Sequence, residues 1–357
     1  MKNFKKISVI IMMICLMMIT MITLLKEKET YSYSERRVLA SFPEVTTDKI
    51  LSGQFSKEFE EYTTDVFPYR DMWRSIKANV VHSIFQQKDH HNLYYVDNHL
   101  AKMEYEIQTP MVEYATNLIK KVKETYLDHH KIYMSLIPDK HYYLAKEYQY
   151  PSYDVNQMED MFQEALPFVE MISIDHLLDK DDYYKTDSHW KQERIMDVAK
   201  FIASAMGKTL KDEYDIKQIE KDFYGVYYGQ AVLNVPPDHI QYVINDTISQ
   251  LEVDGAKGIY DHSKLEGKDM YEFFLSGNQP IVTIKNPLQK DASRLVVFRD
   301  SYACSFVPLL AEAYSEIVLV DLRYIRSDML NDYVSFDDAD ILFMYSTSMM
   351  NASTALK

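Results

Sequence analysis

An aspartate and a histidine lie two positions apart in the segment YYKTDSHWKQER, residues 183–194. Asp187 could hold His189 as a general base, which would require a nucleophile elsewhere in the chain. The alternative is a helix N-terminus, because the three residues from Thr186 to Ser188 all favour the N-cap position and His189 would then be an ordinary polar side chain. The segment alone leaves a catalytic and a structural interpretation open.

A serine that could act as the nucleophile lies in RLVVFRDSYACSFVPLLAEAYSEIVLVDLRY, residues 294–324. Residues 295–298 are predicted to form a buried strand and residues 305–314 a helix, which puts Asp300 and Ser301 on the turn between them. A serine on such a turn presents its hydroxyl at the edge of a sheet, where its own N–H and others at the helix start can stabilise an oxyanion. An N-cap pair is the competing interpretation.

Helices and short apolar strands alternate along the chain. A helix is predicted to start at Thr109 and Pro110, an N-cap and first-turn pair, and a strand follows at residues 132–137. A second helix at residues 155–166 precedes the apolar stretch 171–174. This alternation predicts an α/β fold with a doubly wound, mostly parallel sheet and helices on both faces.

Both chemically interesting segments follow predicted strands of this sheet. Asp187 and His189 come after the stretch that ends at residue 174, and Ser301 comes after the strand that ends at residue 298. Because reactive groups on such sheets lie on loops at the carboxyl ends of the strands, the two loops are expected to open on the same side.

Two further segments complete the predicted fold. A helix at residues 190–206, ended by Gly207, would anchor the loop that carries Asp187. Residues 214–286 contain short β-like runs, among them GVYYG, QYVIN and PIVTIKN. They are predicted to be a small β-rich insertion or a lid that covers the site.

The chain begins with a segment that could cross a membrane. Residues 7–25 form an uncharged apolar run, and lysines precede it in the predicted cytoplasmic tail, residues 1–6. Residues 26–39 are predicted to be a linker and residues 40–350 a domain outside the cytoplasm, held at the cell membrane by this single span. A cleaved signal peptide, giving a secreted form, is the alternative, although KEKETYS follows the run where small residues would be expected.

Composition narrows the classes of partner. The chain has 357 residues, 47% of them hydrophobic, which is enough for the core of one large or two smaller domains. Without the three lysines ahead of the apolar run, 36 Lys and Arg oppose 54 Asp and Glu, a net charge of −18 that would repel nucleic acid. Neutral, sugar-like ligands fit this charge better.

Cys15 lies in the apolar run and Cys304 is the only other cysteine, so no disulfide is expected in the outer domain.

Two histidine pairs, His90/His91 and His129/His130, raise the question of a metal site. Adjacent side chains point in different directions in a helix or a strand, and no cysteine or third ligand is spaced to complete a site. The sequence therefore predicts neither a metal nor a cofactor.

Several motifs together resemble a known family. TDSHW at residues 186–190 and RDSYACSFVPLLAEAYSEIVLVDLRYI at residues 299–325 occur with YSERRVLASFP at residues 33–43 and DVFPYRDMW at residues 65–73. In this order they are similar to DHHW family proteins, which are relatives of the AlgX and AlgJ alginate O-acetylation proteins. The resemblance runs from about residue 34 to residue 350 and implies an SGNH-hydrolase-like fold.

The resemblance also implies roles for three residues. Ser301 matches the nucleophile of the family, His189 the general base and Asp187 the carboxylate that fixes the histidine. The two motifs come in the reverse order to ordinary SGNH hydrolases, and the spacing is D-x-H, as in the alginate proteins. Two residues depart from the pattern: Arg299 replaces the usual glycine of G-D-S, and Ser188 replaces the first histidine of the DHHW name.

The activity that the resemblance implies is O-acetyl transfer to a secreted or cell-surface polysaccharide through an acetyl-serine intermediate. A separate membrane-bound O-acyltransferase would supply the acetyl groups. The same three residues would serve a carbohydrate acetyl esterase if water accepted the acetyl group, so the sequence leaves transfer and hydrolysis open. A non-catalytic, polysaccharide-binding assembly factor is the remaining alternative.

Four further residues are candidates for oxyanion or substrate contacts, and each has a structural alternative. Tyr345 follows a predicted strand and is alternatively a packing residue. Arg323 also follows a strand and alternatively pairs with Asp321. Asn278, in SGNQP, alternatively belongs to a turn, and Lys140, in IPDK, is alternatively a solvated loop lysine.

Overall fold

The computed structural model describes residues 2–32, 34–35, 37–83, 89–90, 92–211 and 213–357. The chain divides into two compact units, of which the first comprises Met1–His90 with Tyr228–Asn234 and the second His91–Tyr227 with Val235–Lys357. His91, from the first histidine pair, lies outside the described residues.

The first unit begins with an apolar helix. Helix α1, Lys2–Leu25, contains the stretch Lys6–Thr23, which is long and apolar enough to cross a membrane. A signal sequence has the same properties, so the helix is compatible with either. The other elements of this part of the chain are strands β1 (Tyr31–Ser32) and β2 (Arg37–Val38), helices α2 (Thr47–Leu51), α3 (Gln54–Asp65) and α4 (Arg70–Ser83), and strand β3 (Asp89–His90).

The second unit contains the main sheet and its helices. Its strands are β4 (Leu93–Val96), β5 (His99–Lys102), β6 (Ile132–Ile137), β7 (Val169–Met171), β8 (Asp215–Phe223), β9 (Asp238–Ile244), β10 (Glu252–Val253), β11 (Ala256–Lys257), β12 (Ile281–Lys285), β13 (Arg294–Arg299), β14 (Glu316–Val320) and β15 (Ala339–Ser346). Its helices are α5 (Thr109–Tyr126), α6 (Lys140–Tyr148), α7 (Val155–Ala165), α8 (Met196–Ala205), α10 (Ala303–Leu310) and α11 (Thr347–Met350), while α9 (Val226–Ala231) spans the boundary between the two units.

The main sheet is mostly parallel. Among the described residues its strand order is β11-β10-β12-β14-β13-β15-β6-β7. Strands β14, β13, β15, β6 and β7 run parallel, and β12, β10 and β11 add an antiparallel edge. The α/β fold class with a mostly parallel, helix-flanked sheet is thus confirmed.

Helices cover both faces of this sheet because side chains alternate along its buried strands. In β13, Leu295 and Val297 share a core with residues of α8 and α10. Val296 and Phe298 share the opposite core with residues of α5 and α7. The turn after β13 is therefore held between two packed layers.

Helix α8 begins at Met196, later than the predicted Trp190. The preceding residues form a tight loop instead, in which the Tyr184 N–H donates to the His189 carbonyl at 3.0 Å. The predicted end of the helix is confirmed: Gly207 has a φ of 72°, a left-handed conformation that glycine adopts without strain.

Other predicted strands also shift. The stretch predicted at residues 171–174 forms a strand earlier, at Val169–Met171. In GVYYG, at residues 225–229, Gly225 precedes α9 and the other four residues lie in this helix instead of a strand. The N–H groups of Gly225 and Val226 bond to side-chain oxygens and are not free for strand pairing. Within the described part of the chain, strands β8 and β9 pair only with each other, whereas β12 joins the main sheet. A lid role for residues 214–286 stays a prediction.

Candidate active site

Ser301 lies on the turn that follows β13, and the buried Asp300 fixes that turn. Asp300 Oδ1 accepts a hydrogen bond from the N–H of Tyr302 at 3.0 Å. Its Oδ2 accepts from both the N–H and the hydroxyl of Ser346 at 2.7 Å. Because Ser346 ends β15, the parallel neighbour of β13, this carboxylate ties the turn to the edge of the sheet. Ser301 itself is half-buried.

A chain of hydrogen bonds links Ser301 to Asp187 through His189. The Ser301 hydroxyl is 2.7 Å from His189 Nε2, and His189 Nδ1 is 2.5 Å from Asp187 Oδ1. An ionised carboxylate only accepts hydrogen bonds, so Nδ1 carries the proton of a neutral ring and Nε2 accepts from the serine. The buried Asp187 also accepts from the N–H of His189 at 3.0 Å. This is the geometry of a nucleophile, a general base and a carboxylate that orients the base.

Two tyrosines hold the ring of His189. Tyr271 stacks on it with ring centroids 3.8 Å apart and an interplanar angle of 9°, and Tyr302 packs against it at 4.9 Å. The Tyr271 hydroxyl lies 2.9 Å from the Ser305 hydroxyl, and the Tyr302 hydroxyl donates to the Ser188 carbonyl at 2.7 Å. Burial raises the pKa of both phenols well above the ordinary value, so they remain neutral. The imidazole therefore has little freedom to rotate.

Trp190 joins the histidine loop to the serine turn. Its indole Nε1–H donates to the Tyr302 carbonyl at 3.0 Å and lies 3.1 Å from the Ser305 hydroxyl. Its fully buried ring packs against Tyr302 and Phe306, with centroid distances of 5.6 Å to each. A single side chain thus fixes the spacing between His189 and the first turn of α10.

The segment after β8 supports Asp187 from the other side. Asp187 Oδ2 accepts from the N–H of Val226 at 2.7 Å, and the Gly225 N–H donates to the Thr186 hydroxyl at 3.0 Å. The carboxylate of Asp238, in β9, accepts from the N–H and the hydroxyl of Thr186 at 2.7 and 2.6 Å. The described part of residues 214–286 therefore includes residues that build the site.

Lys140 does not lie in solvent, so the solvated alternative is wrong. The side chain is 0% exposed, and its ammonium group donates to the carbonyls of Tyr184, Lys185 and Asp187. Three backbone acceptors compensate the buried charge, which explains its place in the interior. With these three bonds made, a direct contact of Lys140 with substrate is not what the structure supports.

Arg299 replaces the usual glycine of the G-D-S motif, and its side chain is held by residues outside the chain of hydrogen bonds from Asp187 to Ser301. Its buried guanidinium donates to the Asn278 side-chain oxygen at 2.7 Å. It also donates to the Gln279 carbonyl at 3.3 Å and lies 3.4 Å from Asp321 Oδ2. Asn278 directly follows the turn that the Gly277 N–H and the Phe274 carbonyl close. Its exposed side chain is bonded to the residue two positions before Ser301, and a sugar contact of Asn278 stays a prediction.

Arg323 and Tyr345 make the contacts that their structural alternatives predicted, and a substrate or oxyanion role for either stays a prediction. Arg323 donates to both carboxylate oxygens of Asp321, at 2.8 and 2.6 Å. Tyr345 is 1% exposed and packs in the core on the α5 and α7 side of the sheet, away from α10. In the second histidine pair, His130 Nε2 lies 2.7 Å from the Phe336 carbonyl.

Four residues of this arrangement were not found from the sequence: Gly225, Asp238, Tyr271 and Tyr302. Tyr302 directly follows Ser301, so its position in the motif was a usable signal. The other three lie in segments without clear periodicity, and their contacts with Asp187, Thr186 and His189 arise only in the folded chain.

The fold and this geometry define an α/β protein with a Ser–His–Asp arrangement at the carboxyl edge of a mostly parallel sheet. No protein-family model and no curated protein matches the chain. A solved DHHW family protein from Eubacterium siraeum aligns with a TM-score of 0.59 and 20% identity, covering 75% of this chain and 94% of its own.

PatB1 from Bacillus cereus aligns with a TM-score of 0.56 and 18% identity, covering 72% of this chain and 96% of its own. A second PatB1 structure, with a sulfonyl adduct, aligns with a TM-score of 0.55 and the same identity, covering 72% and 95%. The O-acetyltransferase domain of Pseudomonas putida AlgJ aligns with a TM-score of 0.43 and 12% identity, covering 68% and 84%, and no conclusion rests on it. The resemblance to the DHHW proteins is thus confirmed at the level of the fold.

Proposed function

We propose that the protein is an O-acetyltransferase that acts outside the cytoplasm on a secreted or cell-surface polysaccharide. The continuous hydrogen-bond chain from Asp187 through His189 to Ser301 is the observation that carries this proposal. The shared fold with PatB1, a protein also solved with a sulfonyl adduct, supports it, since sulfonyl groups attach to activated nucleophiles. The net charge of −18 outside the first 25 residues fits a neutral sugar better than an anionic polymer.

The reaction proceeds in two displacement steps. In the first, the Ser301 oxygen attacks the carbonyl carbon of an acetyl ester, its proton passes to His189 Nε2, and the donor alcohol leaves with that proton. In the second, a sugar hydroxyl gives its proton to His189 and attacks the carbonyl carbon of the acetyl-serine. The bond from that carbon to the Ser301 oxygen breaks, the sugar keeps the acetyl group, and Ser301 regains its proton from His189. The N–H of Ser301 is the proposed oxyanion donor. Asp187 stabilises the imidazolium in both steps.

We propose that the domain of residues 40–350 lies on the outer face of the cell membrane and that α1 anchors it there. The proposed source of acetyl groups is a membrane-bound O-acyltransferase. Its co-purification with the detergent-solubilised full chain, compared with a chain whose first 25 residues are replaced by a cleavable signal peptide, tests this arrangement. If neither form recovers an acyltransferase, another acetyl donor must serve the site.

The central test is Ser301→Ala in the full chain. Cells with this variant should secrete normal amounts of polysaccharide with its acetyl content lost, and the purified variant should neither release the alcohol of an activated acetyl ester nor react with a sulfonyl fluoride. Ser152→Ala, at an exposed position, is the matched control. Unchanged acetyl content of the polysaccharide in cells with S301A would overturn the enzymatic proposal in favour of an assembly factor. Release of acetate, with no acetylated sugar at any acceptor concentration, would make the protein an esterase.

A further inference from the structure

Two buried groups of opposite charge hold the backbone of residues 184–187 from opposite sides. Lys140 Nζ donates to the carbonyls of Tyr184 at 2.7 Å, Lys185 at 3.1 Å and Asp187 at 2.6 Å. On the other side, the Asp238 carboxylate accepts from the N–H of Lys185 at 2.9 Å and from Thr186. The peptide groups between them are thus fixed on both their donor and acceptor sides.

We call the contacts of Lys140 and Asp238 with residues 184–187 the clamp. The clamp differs from an ordinary ion pair because backbone dipoles separate the two charges. Lys140 is 0% exposed and Asp238 is 6% exposed, and a charge at such depth is costly unless polar groups surround it. An ammonium group has three N–H donors, which match the three carbonyls. The clamp therefore fixes both the direction and the spacing of the segment that ends at Asp187.

We propose that Lys140 and Asp238 are positioning residues for the reaction, which keep the backbone of residues 184–187 in the one arrangement that lets Asp187 orient His189. This inference rests on the proposed function of Ser301. Lys140 acts on chemistry only through the carbonyl of Asp187 and its neighbours, and Asp238 acts only through Lys185 and Thr186.

The clamp links activity to pH on the alkaline side. Burial lowers the pKa of Lys140 to about 8, against the opposing effect of the carboxylates that face it, Asp139, Asp238 and Asp187. Lys191 adds a smaller lowering, and the Tyr227 ring lies 5.1 Å from the ammonium. As the pH rises through about 8, the ammonium loses one of its three hydrogens and one of the three carbonyls loses its hydrogen bond to Lys140. The rate of the Ser301-dependent step is then expected to fall.

Three measurements on the full chain in detergent test the clamp. Lys140→Met keeps the length of the side chain and removes all donors. It should lower kcat by about 10- to 100-fold, since a displacement of about 1 Å can cost that much, with KM within about twofold. It should also abolish the decline in rate near pH 8 that is expected of the wild type. Asp238→Asn should lower kcat and leave that decline in place. Lys146→Met, on the exposed side of the same helix, should match the wild type in every respect.

Each outcome separates this inference from the proposed function. A folded K140M with the kcat and the alkaline decline of the wild type overturns the clamp while the loss of activity in S301A still stands. An S301A protein as active as the wild type overturns the proposed function itself. If K140M fails to fold by circular dichroism and thermal melting, D238N and the wild-type pH profile decide. Unchanged kcat in folded D238N, or no alkaline decline in the wild type, overturns the clamp.

Discussion

Gly225 and Asp187 lie so close that no other residue fits at position 225. A Cβ built on Gly225 would lie 2.2 Å from the Asp187 Cβ and 2.3 Å from its Oδ2, far inside van der Waals contact. The glycine is thus required by the close approach of the chain to the carboxylate that orients His189.

The first prediction concerns Gly225→Ala. The new methyl group should push the Asp187 carboxylate out of line, lowering kcat at least about tenfold and destabilising the fold by about 1–3 kcal/mol, as overpacking does. Ester turnover and thermal denaturation measure the two effects. Gly267→Ala is the control, since its nearest contact would be a backbone oxygen at 3.1 Å. Equal losses in both variants would mean that the contact with Asp187 has no particular importance.

A second prediction follows from Trp190→Phe. Phenylalanine cannot donate to the Tyr302 carbonyl or approach the Ser305 hydroxyl as the indole does, so we expect a stability loss of about 1–3 kcal/mol and a lower kcat. The chain has only one other tryptophan, Trp73, which is 50% exposed. Trp73→Phe is therefore the control, and it leaves Trp190 as the sole indole whose fluorescence reports on the site. A W190F protein with full activity and stability would show that the two loops are held together by other contacts.

A third prediction concerns Asp300→Asn, which keeps the shape of the side chain and replaces one acceptor oxygen by a donor nitrogen. Whichever way the amide is turned, either Tyr302 or Ser346 loses its acceptor. Because the group is buried, we expect a loss of about 1–3 kcal/mol in unfolding free energy and slower labelling of Ser301 by a sulfonyl fluoride. Asp291→Asn, at an exposed position before the same strand, should change neither quantity. Unaltered labelling of D300N would show that the turn keeps its shape without this carboxylate.

The fourth prediction is a pH dependence of stability at Glu159. Burial raises the pKa of this side chain to about 7, partly offset by the hydroxyl of Ser173, which donates to Oε2 at 2.6 Å. The folded chain keeps a proton on Glu159 that the unfolded chain releases near the ordinary pKa of 4.5. The contribution of this proton to the free energy of unfolding is therefore fully present below pH 4.5 and is lost as the pH rises through about 7.

Glu159→Gln stays neutral and should remove that decline. We expect a gain of about 1–3 kcal/mol over the wild type at pH 8, which shrinks toward pH 4.5. Urea denaturation across this range measures it, with the exposed Glu164→Gln of the same helix as control. Parallel stability curves for E159Q and the wild type would contradict a proton held at Glu159.

The parts of the fold that sequence predicts well are those with strong periodicity. A continuous apolar run predicts strand β13, and apolar residues on one helical face predict helix α5. The packing of both elements follows from those patterns alone. Trp190 misled the prediction, since an apolar residue after an N-cap sequence indicates a helix start. Its indole in fact closes a loop, and α8 begins only at Met196.

The local motifs show where Asp187, His189 and Ser301 lie but not what holds them. Lys140 was misplaced because a lysine after a strand normally lies in solvent, and only the folded chain brings three carbonyls around its charge. Gly225 contacts Asp187 through the path of a loop that no period in one sequence encodes. The motifs thus predicted the three residues of the candidate site, and the contacts that support them depend on the fold of the whole chain.

The order of strands in the main sheet has a consequence for how the protein is made. Strand β15 lies between β6 and β13, so the half of the sheet synthesised first has no partner on that side until residues 339–346 have emerged. Asp300 is also synthesised before Ser346, so its carboxylate cannot accept the Ser346 hydrogen bonds until β15 is complete. In the proposed membrane topology the segment after α1 crosses first, so the turn that carries Ser301 would be completed only after β15 has also crossed and joined the sheet.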